Sequence, residues 1–437
     1  MNAQSIHDIS ISRLSFFCFV IRVIHYVVFL IGTSAVPVAI GLLIWQLGKG
    51  LPISSLQITC AALGPWLLVY SFRRLSTLRR TASWQLIVLA IASAAALAYA
   101  YYLVNEMSEA ESDLPANSSA VAFLAVAGIL LPLQSALQWW VQRTRLEPLG
   151  TTVGGIMDAP SSVAKKPRSM SPIKACIFAA SGVSFLAVQT LFELIATILE
   201  RESKSNLYFF IGLALLLRSR RYFQADADSL LSVDRRPPIL FLRSFTDDPK
   251  GGWRLFLSVI LSMPRLLDYS LELRLAKYFM HFGPFVAVGT PNEKVPQLGA
   301  ARKSFSEGEW QDGVVAWAKS AQLIAIFVGP TKWVNWEISQ VISLNLADRL
   351  ILLMPESRFW RPWKHNRAME ERLAMLKQAM EGTPWSAALN QVGRARSVRA
   401  ILLESDGSLS VICSKLRNRD SYHLAAVIAH HLILKRR

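Results

Sequence analysis

Long apolar segments separated by basic loops occupy the first half of this chain, and they constrain its fold more than any other feature. A helix that crosses the hydrocarbon part of a bilayer needs about 20 apolar residues. Six segments reach or approach that length: residues 23–47, 51–72, 81–104, 115–142, 175–199 and 206–223. The last one is short and spans only if its terminal arginines extend toward the interface. Residues 1–223 are therefore predicted to form a transmembrane helical domain, a membrane α-helical bundle of about six spans.

The charges between these segments predict their orientation. The loop between the second and third segments carries four arginines, and the loop between the fourth and fifth is also basic. Residues 106–113, between the third and fourth, are acidic. Because basic loops stay on the cytoplasmic side, this pattern predicts an integral membrane protein with N- and C-termini in the cytoplasm and the lipid bilayer as a partner. The net charge of +17 then follows from topology and does not indicate a nucleic-acid partner.

The composition changes after residue 223. Residues 224–237 are polar and predict a linker, and residues 238–437 predict a cytoplasmic α/β domain. Four apolar runs alternate with helical patterns: ILFL (239–242), FVAVG (285–289), LIAIFV (323–328) and LILLM (350–354). Such runs are typical of a parallel sheet covered on both faces, and we expect a flavodoxin-like strand order. The turn DGS at 406–408 predicts an edge hairpin, and residues 422–434 predict a terminal helix.

One stretch fits this scheme poorly. Residues 249–268 form a basic, apolar insertion after the first predicted strand. It could pack on the domain or touch the bilayer, and its sequence assigns it no role.

Candidate site residues follow the first and third predicted strands. In an open parallel sheet, ligands bind beyond the carboxyl ends of the strands, where the strand order reverses. For a flavodoxin-like order this crevice lies between the first and third strands, which run into RSFTDD and GPTKWVNWE. The candidate binding residues are Ser244, Phe245, Asp247, Asp248, Thr331, Trp333 and Trp336, and the candidate catalytic residue is Glu337.

Aromatic rings beside one carboxylate suit a flat ligand in which positive charge develops. Cleavage of the nicotinamide–ribose bond of NAD has these features, because an oxocarbenium-like centre forms at the sugar and the leaving group needs no general acid. NAD would be the substrate and no cofactor is required. Four scattered cysteines without a CxxC spacing do not support a metal site. Each residue also has a simpler interpretation: Glu337 as a carboxylate at a helix start, the tryptophans as packing residues, and the aspartates as helix caps.

At these residues the sequence resembles the TIR-domain family. FLRSFTDD is similar to the family's first strand, which ends in a Ser-aromatic pair followed by acidic residues, and TKWVNWEI matches the family's Ser-x-Trp-Cys-x-x-Glu-Leu helix at the Trp and the Glu. Thr331, Val334 and Ile338 depart from that motif. The resemblance implies a TIR-like sheet, a catalytic role for Glu337 as in TIR domains that hydrolyse NAD, and a nucleotide pocket that includes Ser244, Phe245 and Trp333.

Taken together, these features predict a membrane-anchored, self-associating TIR-like protein, placed in a bacterial inner membrane, that cleaves or binds NAD or a related nucleotide in signalling or defence. An enzyme of this kind would be an NAD+ nucleosidase (NAD glycohydrolase). The alternative is a non-enzymatic membrane receptor or scaffold whose TIR-like domain mediates protein–protein assembly. A transporter is the least favoured reading, because few polar residues lie within the apolar segments.

Overall fold

The computed structural model describes a segment near the amino terminus and most of the second half of the chain. It describes residues 6–21, 23–24, 133, 136–137, 139–146, 149–153, 171–198, 207–222, 224, 226–244, 271–289, 299–306, 308–354, 356, 362–393 and 395–436.

These residues contain ten strands. They are β1 Ile6–Ser10, β2 Arg145–Leu146, β3 Thr151–Thr152, β4 Ile239–Leu242, β5 Phe285–Gly289, β6 Ala301–Ser304, β7 Leu323–Phe327, β8 Leu350–Leu353, β9 Val398–Leu403 and β10 Leu409–Cys413. Eight of them form one sheet in the order β1-β10-β9-β8-β7-β4-β5-β6, and β2 pairs with β3 in a separate hairpin.

The described residues also form helices. They are α1 Ser12–Ile21, α2 Pro172–Ile198, α3 Leu207–Tyr222, α4 Ala227–Val233, α5 Leu271–Phe279, α6 Trp310–Ser320, α7 Lys332–Ser343, α8 Pro362–Ala379, α9 Ser386–Gln391 and α10 Arg419–Arg436. Two 3-10 turns, Ala347–Arg349 and Ala395–Ser397, lead into β8 and β9. The predicted linker, residues 224–237, contains α4, whose N-terminal Asp226 accepts a hydrogen bond from the backbone N–H of Asp228.

The four apolar runs that predict strands are strands, and they form the centre of the sheet. The side chains of β4, β7 and β8 are buried along their whole length. Phe241 lies 5.3 Å from Phe285 and 4.9 Å from Phe327 between ring centroids, so the three neighbouring strands share one aromatic layer. Each buried side chain of this size stabilises the fold by about 1.5–3 kcal/mol.

The prediction of a flavodoxin-like, TIR-like parallel sheet is wrong, because the sheet is mixed. β9 is antiparallel to both β8 and β10. The connection from β9 to β10 is a short turn, which permits an antiparallel hairpin and is too short for the crossover that parallel strands need. At one end of the sheet, β6 extends it beyond β5. At the other end, β1 pairs in parallel with β10, so the hairpin of β9 and β10 that was predicted at the edge lies inside the sheet.

The prediction of six membrane spans is also wrong. In the described part of the chain, only the stretch Pro172–Gln189 of α2 has the length and apolar character that a membrane crossing requires. The predicted spans at 51–72 and 81–104, nearly all of that at 23–47 and most of that at 115–142 lie outside the described residues. The sixth predicted span corresponds to α3, which has 16 residues and carries three arginines in its last turn and a half. The structure therefore does not show an integral multi-span protein of the inner membrane.

The physical reason is that an apolar segment spans a membrane only if it also forms one helix long enough to cross the bilayer, and α3 is too short. α2 and α3 touch at two glycines. A Cβ atom on Gly182 would lie 2.8 Å from the carbonyl oxygen of Gly212, and one on Gly212 would lie 2.7 Å from the carbonyl oxygen of Gly182. Neither position has room for a side chain, so the two helix backbones are in direct contact.

Candidate functional site

The strand order reverses between β4 and β7. β4 pairs in parallel with β5 on one side and with β7 on the other. The chain therefore runs from β4 outward to β5 and β6 and then returns to the opposite side of β4 at β7. At such a reversal of strand order, open α/β sheets bind ligands beyond the carboxyl ends of the strands.

Close contact between these two loops brings Ser244 to the start of α7. A Cβ atom on Gly329 would lie 2.8 Å from the Cβ of Ser244 and 3.2 Å from a methyl carbon of Val334. No larger residue than glycine therefore fits at position 329 after β7, and Ser244 after β4 is buried against it. Ser244, which the sequence predicts to lie in the crevice, is beside the loop that leads into α7.

Thr331 is the residue that precedes α7. Its backbone is extended, with φ −111° and ψ 145°, as is usual for a helix N-cap, but its side chain makes no capping hydrogen bond. The first turn of α7 contains no acidic residue. The amino end of this helix, with its partial positive charge, thus faces the same edge of the sheet as Ser244.

Glu337 lies on the buried face of α7 with Val334, Ile338 and Val341. It is only 7% exposed, and within the described residues its Oε2 atom has no hydrogen-bond partner. Burial raises the pKa of this carboxyl group from 4.5 to about 8. At pH 7 Glu337 is therefore mostly protonated, and the interpretation of a solvated carboxylate at a helix start does not apply.

The tryptophans of α7 pack on α6. Trp310 contacts Trp333 at 5.1 Å and Trp336 at 5.0 Å between ring centroids, both edge to face. Trp333 remains 46% exposed, and the Nζ of Lys332 lies 4.8 Å from its ring. Trp333 and Glu337, which the sequence places on one face of the helix, therefore differ in burial. The packing interpretation describes Trp336 well, whereas Trp333 still presents apolar surface to solvent.

Three candidate binding residues, Phe245, Asp247 and Asp248, lie outside the described residues, as does the insertion at 249–268. The structure reports on neither their position nor their contacts.

A buried ion cluster beside the site was not predicted from the sequence. Arg302 of β6 donates to Oε1 and Oε2 of Glu272 at 2.7 and 2.9 Å, and Arg243 lies 3.4 Å from the same carboxylate. The backbone N–H of Ala300 also donates to Glu272, at 3.2 Å. Because Arg243 immediately precedes Ser244, this cluster ties the end of β4 to α5 and β6. The only sequence signal was an arginine directly after an apolar strand.

A cavity of about 690 Å³ lies elsewhere, beside β1 and β10, and neither Glu337 nor Ser244 lines it. In the part of the chain that the structure describes, no group of three or more His, Cys, Asp or Glu side chains could hold a metal ion.

Chemically, the segment after β7 provides a helix amino end and, farther along α7, a mostly protonated carboxylic acid in apolar surroundings. Such a carboxyl group becomes ionised when a cation arrives beside it, because the cation replaces the solvation that burial removed. Comparisons with protein-family models, with curated proteins and with solved structures find no match to this chain.

Proposed function

We propose that the edge formed by the carboxyl ends of β4 and β7 binds NAD or a related nucleotide, and that Glu337 promotes cleavage of the bond between nicotinamide and ribose. The observation that carries this proposal is the buried carboxyl group of Glu337, whose Oε2 lacks a partner among the described residues. A buried polar atom without a partner is costly, and a ligand that supplies the partner offsets that cost.

The nicotinamide ring of NAD is positively charged, so its binding beside Glu337 favours the ionised form of this carboxyl group. As the bond breaks, the ring leaves as neutral nicotinamide and the positive charge moves to the ribose carbon. An ionised Glu337 stabilises that charge, and water then adds to the sugar and releases a proton, so the products are nicotinamide and ADP-ribose. A preorganised carboxylate in a water-poor site stabilises such a charge more strongly than one in bulk water.

Other features of the edge support a nucleotide. The amino end of α7 favours phosphate groups, and its first turn contains no acidic residue that would repel them. The indole of Trp333 offers exposed aromatic surface for a flat ring.

The test measures nicotinamide released from NAD by the full 437-residue chain, at a series of protein concentrations so that self-association is included. We expect Glu337→Gln to lower the rate by about 100-fold or more, the size of effect seen when one charge-stabilising group is removed. Glutamine resembles the protonated acid in shape and charge, so folding at pH 7 is preserved. Glu370→Gln, at an exposed glutamate on α8, is the matched control and should not change the rate.

The dependence on pH gives a second measurement. Because the ionised form of Glu337 is the active one, kcat/KM of the wild type should rise with pH and level off above about 8. Full activity in Glu337→Gln would remove this residue from the mechanism. Saturable NAD binding without release of nicotinamide would refute cleavage and favour a nucleotide-sensing scaffold, and absence of binding would refute the whole proposal.

A further inference from the structure

The cavity of about 690 Å³ lies at the opposite end of the sheet from β6, where β1, β10 and the start of β9 meet. Its floor is one face of these strands and includes Ile6, Val398 and Val411. Its walls include Gln391, Arg396 and Ser397 from the segment before β9, and Ser414, Lys415 and Arg417 from the segment after β10. The carboxyl ends of β1 and β10 contribute Ser10 and Cys413 to its lining, at the same edge of the sheet as the carboxyl end of β7.

The charged residues that line the cavity are predominantly basic. Arg396, Lys415 and Arg417 contribute three positive charges, and Asp8 contributes one negative charge. Arg417 donates to the side-chain oxygen of Asn366 at 2.9 Å, which orients its guanidinium group. In the described chain, neither the guanidinium group of Arg396 nor the ammonium group of Lys415 forms an ion pair.

A buried arginine joins the two walls. Arg399 is fully buried, and its guanidinium group donates to the carbonyl oxygens of Arg396 at 3.0 Å and of Ser414 at 3.0 Å. It also donates to the carbonyl of Leu416 at 2.8 Å and lies 4.7 Å from the ring of Tyr422. No described carboxylate pairs with it. Because a guanidinium group stays charged even when buried, Arg399 adds positive potential next to the cavity while it fixes both walls.

The amino-terminal segment is attached to one wall of the cavity by contacts that are distant in sequence. The hydroxyl of Ser12 accepts a hydrogen bond from the backbone N–H of Lys415 at 2.9 Å, and the hydroxyls of Ser15 and Ser414 lie 3.0 Å apart. The cavity is therefore formed in advance of any ligand, which lowers the entropic cost of binding.

We propose that this cavity binds a small phosphorylated ligand that also carries hydroxyl groups, a sugar phosphate or a nucleotide. The phosphate lies among Arg396, Lys415 and Arg417, which donate charge-assisted hydrogen bonds to it. The carboxylate of Asp8 accepts hydrogen bonds from the hydroxyl groups, and the uncharged part of the ligand rests on the apolar floor. The volume is within the range of small-molecule sites, about 300–1,000 Å³. This site is separate from the one at Glu337 and does not depend on it.

Calorimetric titration of the full chain with AMP, ribose 5-phosphate and inorganic phosphate tests the proposal. We expect inorganic phosphate to compete with either organic ligand. Saturable binding of both organic ligands assigns a sugar phosphate site, and binding of AMP alone assigns a nucleotide site.

Variants locate the binding. Lys415→Ala and Arg396→Ala change exposed side chains, and each should weaken binding about tenfold or more. Asp8→Asn should weaken the two organic ligands and leave inorganic phosphate unaffected. Lys319→Ala, an exposed lysine on α6, is the matched control, and both it and Glu337→Gln should bind as the wild type does. No saturable binding of any of the three probes, unchanged binding in Lys415→Ala and Arg396→Ala, or loss of binding in Glu337→Gln would each overturn the proposal.

Discussion

Replacing Glu337 by glutamine should change how the stability of the protein depends on pH. In the unfolded chain the carboxyl group ionises near its ordinary pKa of 4.5, whereas in the folded protein burial holds its pKa at about 8. Between these values the unfolded state loses a proton that the folded state keeps. The free energy of unfolding therefore falls as pH rises from 4.5 to 8 and is level again above 8.

The magnitude follows from the two pKa values. They differ by about 3.5 pH units, and each unit corresponds to 1.36 kcal/mol. The wild type should thus lose up to about 5 kcal/mol across this range because of Glu337 alone. Glutamine cannot ionise, so Glu337→Gln lacks this loss, and the variant should become progressively more stable than the wild type as pH increases.

Urea denaturation of the full chain at pH 5, 6.5, 8 and 9 measures the effect. Other groups that titrate are common to both proteins and cancel in the difference between their free energies of unfolding. Glu370→Gln, at an exposed glutamate on α8, is the control. Its free energy of unfolding should change with pH as that of the wild type does. Parallel curves for Glu337→Gln and the wild type would refute the reasoning, since they would mean that Glu337 ionises alike in both states.

Two further substitutions test the structure at other positions. Gly329→Ala should destabilise the protein by about 1–3 kcal/mol in thermal or urea unfolding, because its Cβ would lie 2.8 Å from that of Ser244, whereas Gly308→Ala has open space and should be neutral. Arg399→Met should lower the free energy of unfolding by about 3 kcal/mol, because it leaves buried carbonyl groups without donors, and a change below about 1 kcal/mol would contradict that role. Arg396→Met, at an exposed arginine nearby, is its control.

Local sequence was sufficient where a short segment contains all the information that determines its structure. The runs ILFL and LIAIF are strands because uninterrupted apolar side chains can be buried only where both faces of a sheet are covered. The turn at DGS forms because Gly407 adopts φ +83° and the carboxylate of Asp406 accepts a hydrogen bond from the backbone N–H of Ser408. The neighbouring placement of β4 and β7 also agrees with the crevice inferred from the order of apolar runs.

Contacts between distant segments could not be predicted in this way. β1 pairs with β10 about 400 residues away, and its sequence IHDIS carries no sign of that partner. The polar run ARKS becomes strand β6 because Glu272 neutralises its buried arginine. The same limit affected the apolar segments, since hydropathy does not fix the length of the helix that a segment forms, as the 16 residues of α3 show.

The sequence by itself determined the central strands, the terminal helix and the position of Glu337 after β7, because these depend on patterns within a few residues. The tertiary structure alone decided that the carboxyl group of Glu337 is buried and protonated, that Arg399 joins two walls of a cavity, and that the chain ends meet in one mixed sheet. Burial and charge depend on which distant side chains exclude water from a group, and no local pattern contains that information.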